Sequence, residues 1–210
     1  MKIRAAIVTG LVLATAVTGV SQAAAPKKVC KLVSDSATDG ARGDALEIIS
    51  ADVATNTKSL TAVIRVKKLA KSNPDAPTGQ SWYIDWTVPG GKFPMAMSYA
   101  VSPTGESASV SYKDGNLYRG ATGDVTKAVF DTVKNEIRMT APLNAWAAEV
   151  GVTIKPKMKL SGLAVNAFWY VGAIVTTPAG TTSGGSLQPG DDAAGKPYVA
   201  GTPSCVTVGK

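Results

Sequence analysis

The feature that most narrows the folds open to this chain is an apolar period of two that recurs along it. Ser81 to Val88 shows it best: Trp82, Ile84, Trp86 and Val88 fall on one side, and Tyr83, Asp85 and Thr87 on the other. Successive side chains of an extended backbone point to opposite faces, so this alternation describes a strand buried on one side. Similar runs occur at Leu46–Val53, Ser59–Lys67, Phe93–Ala100, Ala108–Tyr112, Leu117–Arg119, Ala128–Asp131, Glu136–Ala141, Lys159–Val175 and Tyr198–Val208, with a break predicted at Gly162 or Gly172. Asp114-Gly115 between two of these runs is a strong hairpin signal, and Pro89-Gly90-Gly91 marks another turn. Only Leu143–Val150 reads as helical. Short strands without intervening helices predict an all-β antiparallel sandwich of the jelly-roll or immunoglobulin-like kind. Thr176–Lys196, rich in Gly, Thr, Ser, Pro and Asp, reads as a long mobile loop.

The first residues follow the plan of an export signal. Lys2 and Arg4 precede an uncharged run from Ala5 to Val20, and Ser21-Gln22-Ala23 offers a small-residue cleavage site. A membrane anchor needs ~20 strongly apolar residues, and this run is shorter and diluted by Thr and Gly. Cleavage after Ala23 leaves residues 24–210 as a single domain with no stable membrane anchor. The net charge of +7 then falls by the two positives that leave. The remaining lysines are scattered, with Lys67-Lys68 and Lys155 to Lys159 the densest groups, which predicts solubility rather than nucleic-acid binding.

The chain has two cysteines, Cys30 and Cys205. In an oxidising compartment such a pair reads as a disulfide, here one that brings the two ends of the fold side by side. There is no histidine. That removes Ser-His-Asp and Cys-His machinery and the commonest zinc ligand. No phosphate-cradling glycine motif opens a helix, so no nucleotide is expected. A carboxylate pair could still hydrolyse a glycosidic bond, and Glu47, Glu106, Glu136 and Glu149 are the glutamates available for it.

Two groups of residues carry possible binding chemistry. Asp39, Asp44 and Glu47 lie on a glycine-bent segment and could offer oxygen ligands to calcium, with Asp191 and Asp192 as weaker contributors if the chain ends meet. Against this, acids at such a bend also serve simply to cap turns. The second group is aromatic. Trp82 and Trp86 share a face with Ile84 and Val88 and read as core, whereas Tyr83, Tyr112 and Tyr118 are the surface candidates for stacking on a ligand. Trp169 and Tyr170 must point in opposite directions on a strand.

SWYIDWTVPGGKFPMAMSYAVSPTGES at residues 81–107, YRGATGDV at 118–125 and VFDTVKNEIRMTAPLNAW at 129–146 resemble secreted actinobacterial β-sandwich domains. Those domains are similar to DOMON and carbohydrate-binding module family 9 sandwiches. The shared pattern is Asp39 to Asp44 before the first strand, an aromatic strand, a Gly-Gly turn, and Asp131, Asn135 and Ile137 leading into Pro142-Leu143. The resemblance implies a binding or structural sandwich. Haem is not expected, because the Met/His ligation used for it cannot be made without histidine. The reading from sequence is therefore a secreted, non-enzymatic domain that binds an extracellular glycan or cell-wall polymer. A structural or protein-interaction module and a carboxylate-pair glycoside hydrolase are the alternatives.

Overall fold

A computed structural model of the chain describes residues 27–209, apart from 36–37, 41, 172–173, 178–179 and 184–185. The expected export segment, residues 1–23, lies outside the described residues, as does Gly172. In chain order the elements are β1 (Val33–Ser34), β2 (Ile48–Thr55), β3 (Ser59–Val66), β4 (Gln80–Thr87), β5 (Met95–Ser102), β6 (Gly105–Asp114), β7 (Leu117–Gly120), β8 (Lys127–Asp131), β9 (Glu136–Pro142), α1 (Ala147–Val150), β10 (Lys159–Val171), β11 (Ile174–Thr177), β12 (Gly180–Ser183), β13 (Ser186–Ala194) and β14 (Tyr198–Val199).

These strands build an antiparallel β-sandwich. One sheet runs β1-β2-β3-β9-β8 and the other β13-β10-β4-β5-β6-β7, with β14 paired to the start of β10 and β11-β12 forming a separate hairpin. The core lies between the two sheets. Trp82, Ile84, Trp86, Met95 and Met97 from one face Val53, Leu60, Ile64, Ile137 and Met139 from the other, all with no measurable exposure. Burying each of these larger apolar side chains stabilises the fold by roughly 1.5–3 kcal/mol. Two of the buried indoles also keep polar partners, whereas Trp86 Nε1 has none among the described residues. Trp82 Nε1 donates to the Ala45 carbonyl at 3.0 Å, and Trp146 Nε1 donates to the Ala96 and Ser111 carbonyls at 3.0 and 2.9 Å.

Cys30 and Cys205 are disulfide-bonded, with their Cα atoms 5.2 Å apart. Beside the bond, Val29 N–H donates to the Pro203 carbonyl and Cys205 N–H to the Val29 carbonyl. Among the described residues no helix is long and apolar enough to cross a membrane.

Three expectations need correcting. Thr176–Lys196 is not one long loop: Ser186–Ala194 form β13, the edge strand beside β10. A strand that carries Pro189 and Gly190 is tolerated at an edge, and the pairing shifts by a residue between Ala167 and Phe168, where Pro189 sits opposite. The Lys159 strand does not break at Gly162. It bulges there, with Gly162 at φ +59° and the pairing to β4 shifting between Ser161 and Ala164. Tyr198–Val208 contributes only the two-residue β14. Beyond it Val206 packs on Ala54 and Val63, covering part of the outer face of the five-stranded sheet.

Candidate ligand-binding site

The outer face of the larger sheet carries the most distinctive chemistry in the molecule. The alternation that buries Trp82, Ile84 and Trp86 turns Tyr83 and Asp85 of β4 to this outer face. Their cross-strand neighbours are small or polar: Ser98 and Asn166 flank Tyr83, and Ala96 and Ala164 flank Asp85. Ala96 in turn pairs with Ser111 of β6, and Ser98 Oγ lies 2.8 Å from Ser109 Oγ. The floor of the face is thus low in the middle, because serine and alanine occupy it.

The β6–β7 hairpin fills this depression. Two strands separate β7 from β4 in the sheet. Flat strands ~4.8 Å apart would hold the two backbones ~14 Å from each other. Yet the rings of Tyr118 and Tyr83 stack with centroids 4.0 Å apart, and Tyr118 Oη donates to Asp85 Oδ2 at 2.7 Å. The sheet edge must therefore curl over its own outer face. Phe168 of β10 stands edge-on to both rings, at 5.5 Å from Tyr83 and 6.1 Å from Tyr118.

Around this cluster lies a cavity of about 630 Å³ with Tyr83, Tyr118, Phe168 and Tyr170 as aromatic walls, Leu117 and Leu187 as apolar ones, and Asn116 and Ser186 as polar ones. Tyr170 lines this cavity, whereas its neighbour Trp169 lies under the Arg42 guanidinium, 3.9 Å from the ring centroid. Lys113 Nζ sits 5.5 Å from the Tyr118 ring centroid.

Asp85 is 5% exposed and sits behind Tyr118. Its Oδ2 accepts from Tyr118 Oη and from Asn166 Nδ2 at 3.1 Å, while its Oδ1 accepts no hydrogen bond from any described residue. Burial pushes the carboxyl up to about 6, against the opposing pull of the Tyr118 and Asn166 hydrogen bonds and the Lys113 charge. Burial likewise pushes the Tyr83 phenol up to about 12 and raises that of Tyr118 further. Ser81 and Ser111, on the same outer face, also have buried hydroxyls without a partner among the described residues.

Of the expected stacking residues, the structure unites Tyr83 and Tyr118 and separates Tyr112. Tyr112 pairs with Met95, turns to the inner side of the sheet and packs against Phe93 with centroids 5.1 Å apart. The sequence alternation puts Asp85 on the outer face but marks neither it nor Asn166 as a binding residue; an acid between two tryptophans on the best strand is the available signal.

The acidic residues part company. Asp44 pairs with Lys67 at 2.9 Å, and Glu47, 4% exposed, accepts the Gly40 N–H at 2.8 Å. Oxygens of Asp35, Asp39 and Asp191 lie within 4.8 Å of one another, a spacing a hard cation can bridge. Asp191 Oδ2 accepts the Ile48 N–H and its Oδ1 the Asp192 N–H, while Asp192 itself is exposed. Burial pushes the Asp191 carboxyl up to about 6, helped by the charges of Asp35 and Asp39. The glutamates are engaged separately. Glu106 pairs with Lys71 and Tyr99, Glu136 with Arg65 and Arg138, and Glu149 accepts the Thr122 N–H.

No protein-family model matches the chain, and no curated protein matches its sequence.

Proposed function

We propose that this is an exported, non-enzymatic sandwich domain that binds carbohydrate in the pocket walled by Tyr83, Tyr118, Phe168 and Tyr170. The observation that carries the reading is an aromatic-walled pocket with, behind its Tyr118 wall, a buried carboxylate oxygen that accepts from no described residue. Sugar rings offer apolar C–H faces to aromatic rings and hydroxyls to fixed polar atoms, so they suit a site with both. The resemblance to secreted carbohydrate-binding sandwiches and the export-type leader support the same reading. So does the poverty of catalytic groups: the chain lacks histidine, its thiols are joined, and its glutamates have separate partners.

The test is a glycan array, followed by calorimetry on any glycan retained, with the disulfide-intact protein and its Tyr170→Ala and Phe168→Ala variants. The expected result is binding to at least one oligosaccharide, weakened tenfold or more in both variants. Silence across plant, fungal and bacterial polysaccharides overturns the proposal.

A further inference from the structure

The polar geometry behind Tyr118 reaches past the aromatic walls to the identity of the ligand. In a folded protein a buried acceptor without a donor is destabilising, and few are kept without a reason. Asp85 Oδ1 is one, and Ser111 Oγ is another. Both residues pair across the sheet with Ala96, so a single methyl group separates them in the row.

The element that covers Asp85 is the edge hairpin of the sheet. The hairpin tip is made of Lys113 to Leu117, with Gly115 at φ +60°, and among the described residues β7 pairs only with β6. Leu117, Arg119 and Gly120 of β7 are exposed, and the Arg119–Asp114 ion pair lies in solvent. Tyr118 is the anchor of this hairpin; the rest of β7 is exposed, and exposed edge segments open at little cost. When Tyr118 lifts, Asp85 loses one donor at Oδ2 and keeps Asn166. Its carboxylate then presents two adjacent oxygens in one plane, each able to accept.

We propose that Asp85 is the specificity residue of this pocket and Tyr118 its displaceable cover, so that the ligand is a saccharide with a free vicinal diol whose two hydroxyls donate to Oδ1 and Oδ2. This rests on the carbohydrate reading given above. The spacing of vicinal hydroxyls matches the two oxygens of a carboxylate, and ring stacking on Tyr83 would hold the diol at the right depth. The ionised form is the one that accepts both hydroxyls. Around it stand Tyr83 on its own strand, Lys113 and Tyr118 on the hairpin, and Asn166 on β10, with Tyr170 beyond Tyr83.

Calorimetry with the glycan retained on the array, and with its deoxy analogues lacking either hydroxyl of one diol, tests this for wild type, Asp85→Asn and Tyr118→Phe. Wild-type affinity should be constant above pH 7 and fall about tenfold per pH unit well below the carboxyl pKa, because only the ionised form is selected. Asp85→Asn should bind at least tenfold more weakly at pH 7.5 and lose that pH dependence. Tyr118→Phe keeps its ring but loses the hydrogen bond to Asp85, so the cover lifts more readily and the variant should bind more tightly than wild type. A deoxy analogue that binds as well as its parent, or a wild-type affinity flat from pH 4.5 to 7.5, overturns the proposal even if Asp85→Asn proves too unstable to use. So does a Tyr118→Phe loss as large as that of Asp85→Asn. Those results leave the pocket as a glycan site, whereas binding unchanged in Tyr170→Ala, or silence on the array, removes the carbohydrate reading and this inference together.

Discussion

Tyr118 Oη donates to Asp85 Oδ2 at 2.7 Å although β5 and β6 lie between their strands in the sheet. The contact folds the sheet edge onto its own outer face and seals a carboxyl that would otherwise meet water. It also explains why that carboxyl is hard to ionise. Two donors on one oxygen and Lys113 nearby favour the charge, but removal from solvent outweighs them.

A pH dependence of stability follows. Asp85 ionises near 3.8 in the unfolded chain and near 6 in the folded one, so between those values the folded state binds more protons. Its contribution is then fully present below about 4 and lost as pH rises to about 6, by an amount on the order of 3 kcal/mol. Asp85→Asn mimics the neutral carboxyl and has no proton to lose. Thermal melts should show the variant matching wild type at pH 4 and exceeding it at pH 7.5. A wild-type advantage at pH 7.5 would sink this account of the site.

Part of this site is legible in the sequence. The alternation through Ser81–Val88 alone sends Tyr83 and Asp85 outward and the tryptophans inward, as the fold has them. Tyr118's partner is not legible, because it depends on how far the sheet curls, which no local pattern encodes. Residues 186–194 are hidden for a different reason. Their glycine, proline and aspartates signal a loop, yet an edge strand needs hydrogen bonds on one side only and tolerates them. That strand is what carries Asp191 to the backbone of Ile48 and close to Asp39 and Asp35.

The disulfide should matter more to stability than its single bond implies. It joins residues 175 apart, so the unfolded chain loses freedom over nearly all its described length. Chain-entropy reasoning gives about 5 kcal/mol, and measured losses for native bridges run about 2–5 kcal/mol. Cys30→Ser with Cys205→Ser should lower the urea midpoint accordingly, and reduced wild type should match the double variant. Unreduced, denatured wild type should show no titratable thiol. Two thiols per chain would refute the bond.

Arg65 holds together the polar face of the smaller sheet. Its guanidinium meets Asp52 Oδ2 at 2.8 Å and Glu136 Oε2 at 3.2 Å, and Arg138 reaches the other Glu136 oxygen at 2.8 Å. The Asp52 side chain is 2% exposed and its remaining oxygen accepts the Leu32 N–H. Arg65→Met would leave that charge buried with a single backbone donor. The loss should be roughly 2–3 kcal/mol, at the low end for breaking a buried pair because Arg65 is itself 29% exposed. Adding Asp52→Asn to Arg65→Met should restore part of it, since the stranded charge is then gone. Denaturant midpoints for the two single variants and the pair give the coupling, and strict additivity would show that the ion pair is not what stabilises this face.

Gly195 marks the point where the two sheets touch at their edges. It bridges to Val33 of β1, its N–H donates to the Leu163 carbonyl at 2.7 Å, and the next N–H, of Lys196, donates to the Leu32 carbonyl at 2.8 Å. A Cβ added here would fall 2.5 Å from Val33 Cγ2 and 2.9 Å from the Leu32 carbonyl oxygen. Val33 has no exposure, so neither the side chain nor the backbone has room to yield. Gly195→Ala should therefore push β1 off the larger sheet and cost about 1–3 kcal/mol, as overpacking does. Gly120 is the matched control, because a Cβ there meets no described atom within 4 Å. Gly120→Ala should leave the urea midpoint within a few tenths of a kcal/mol of wild type. Equal midpoints for the two variants would mean that the sheets are not in fact packed this closely at Gly195.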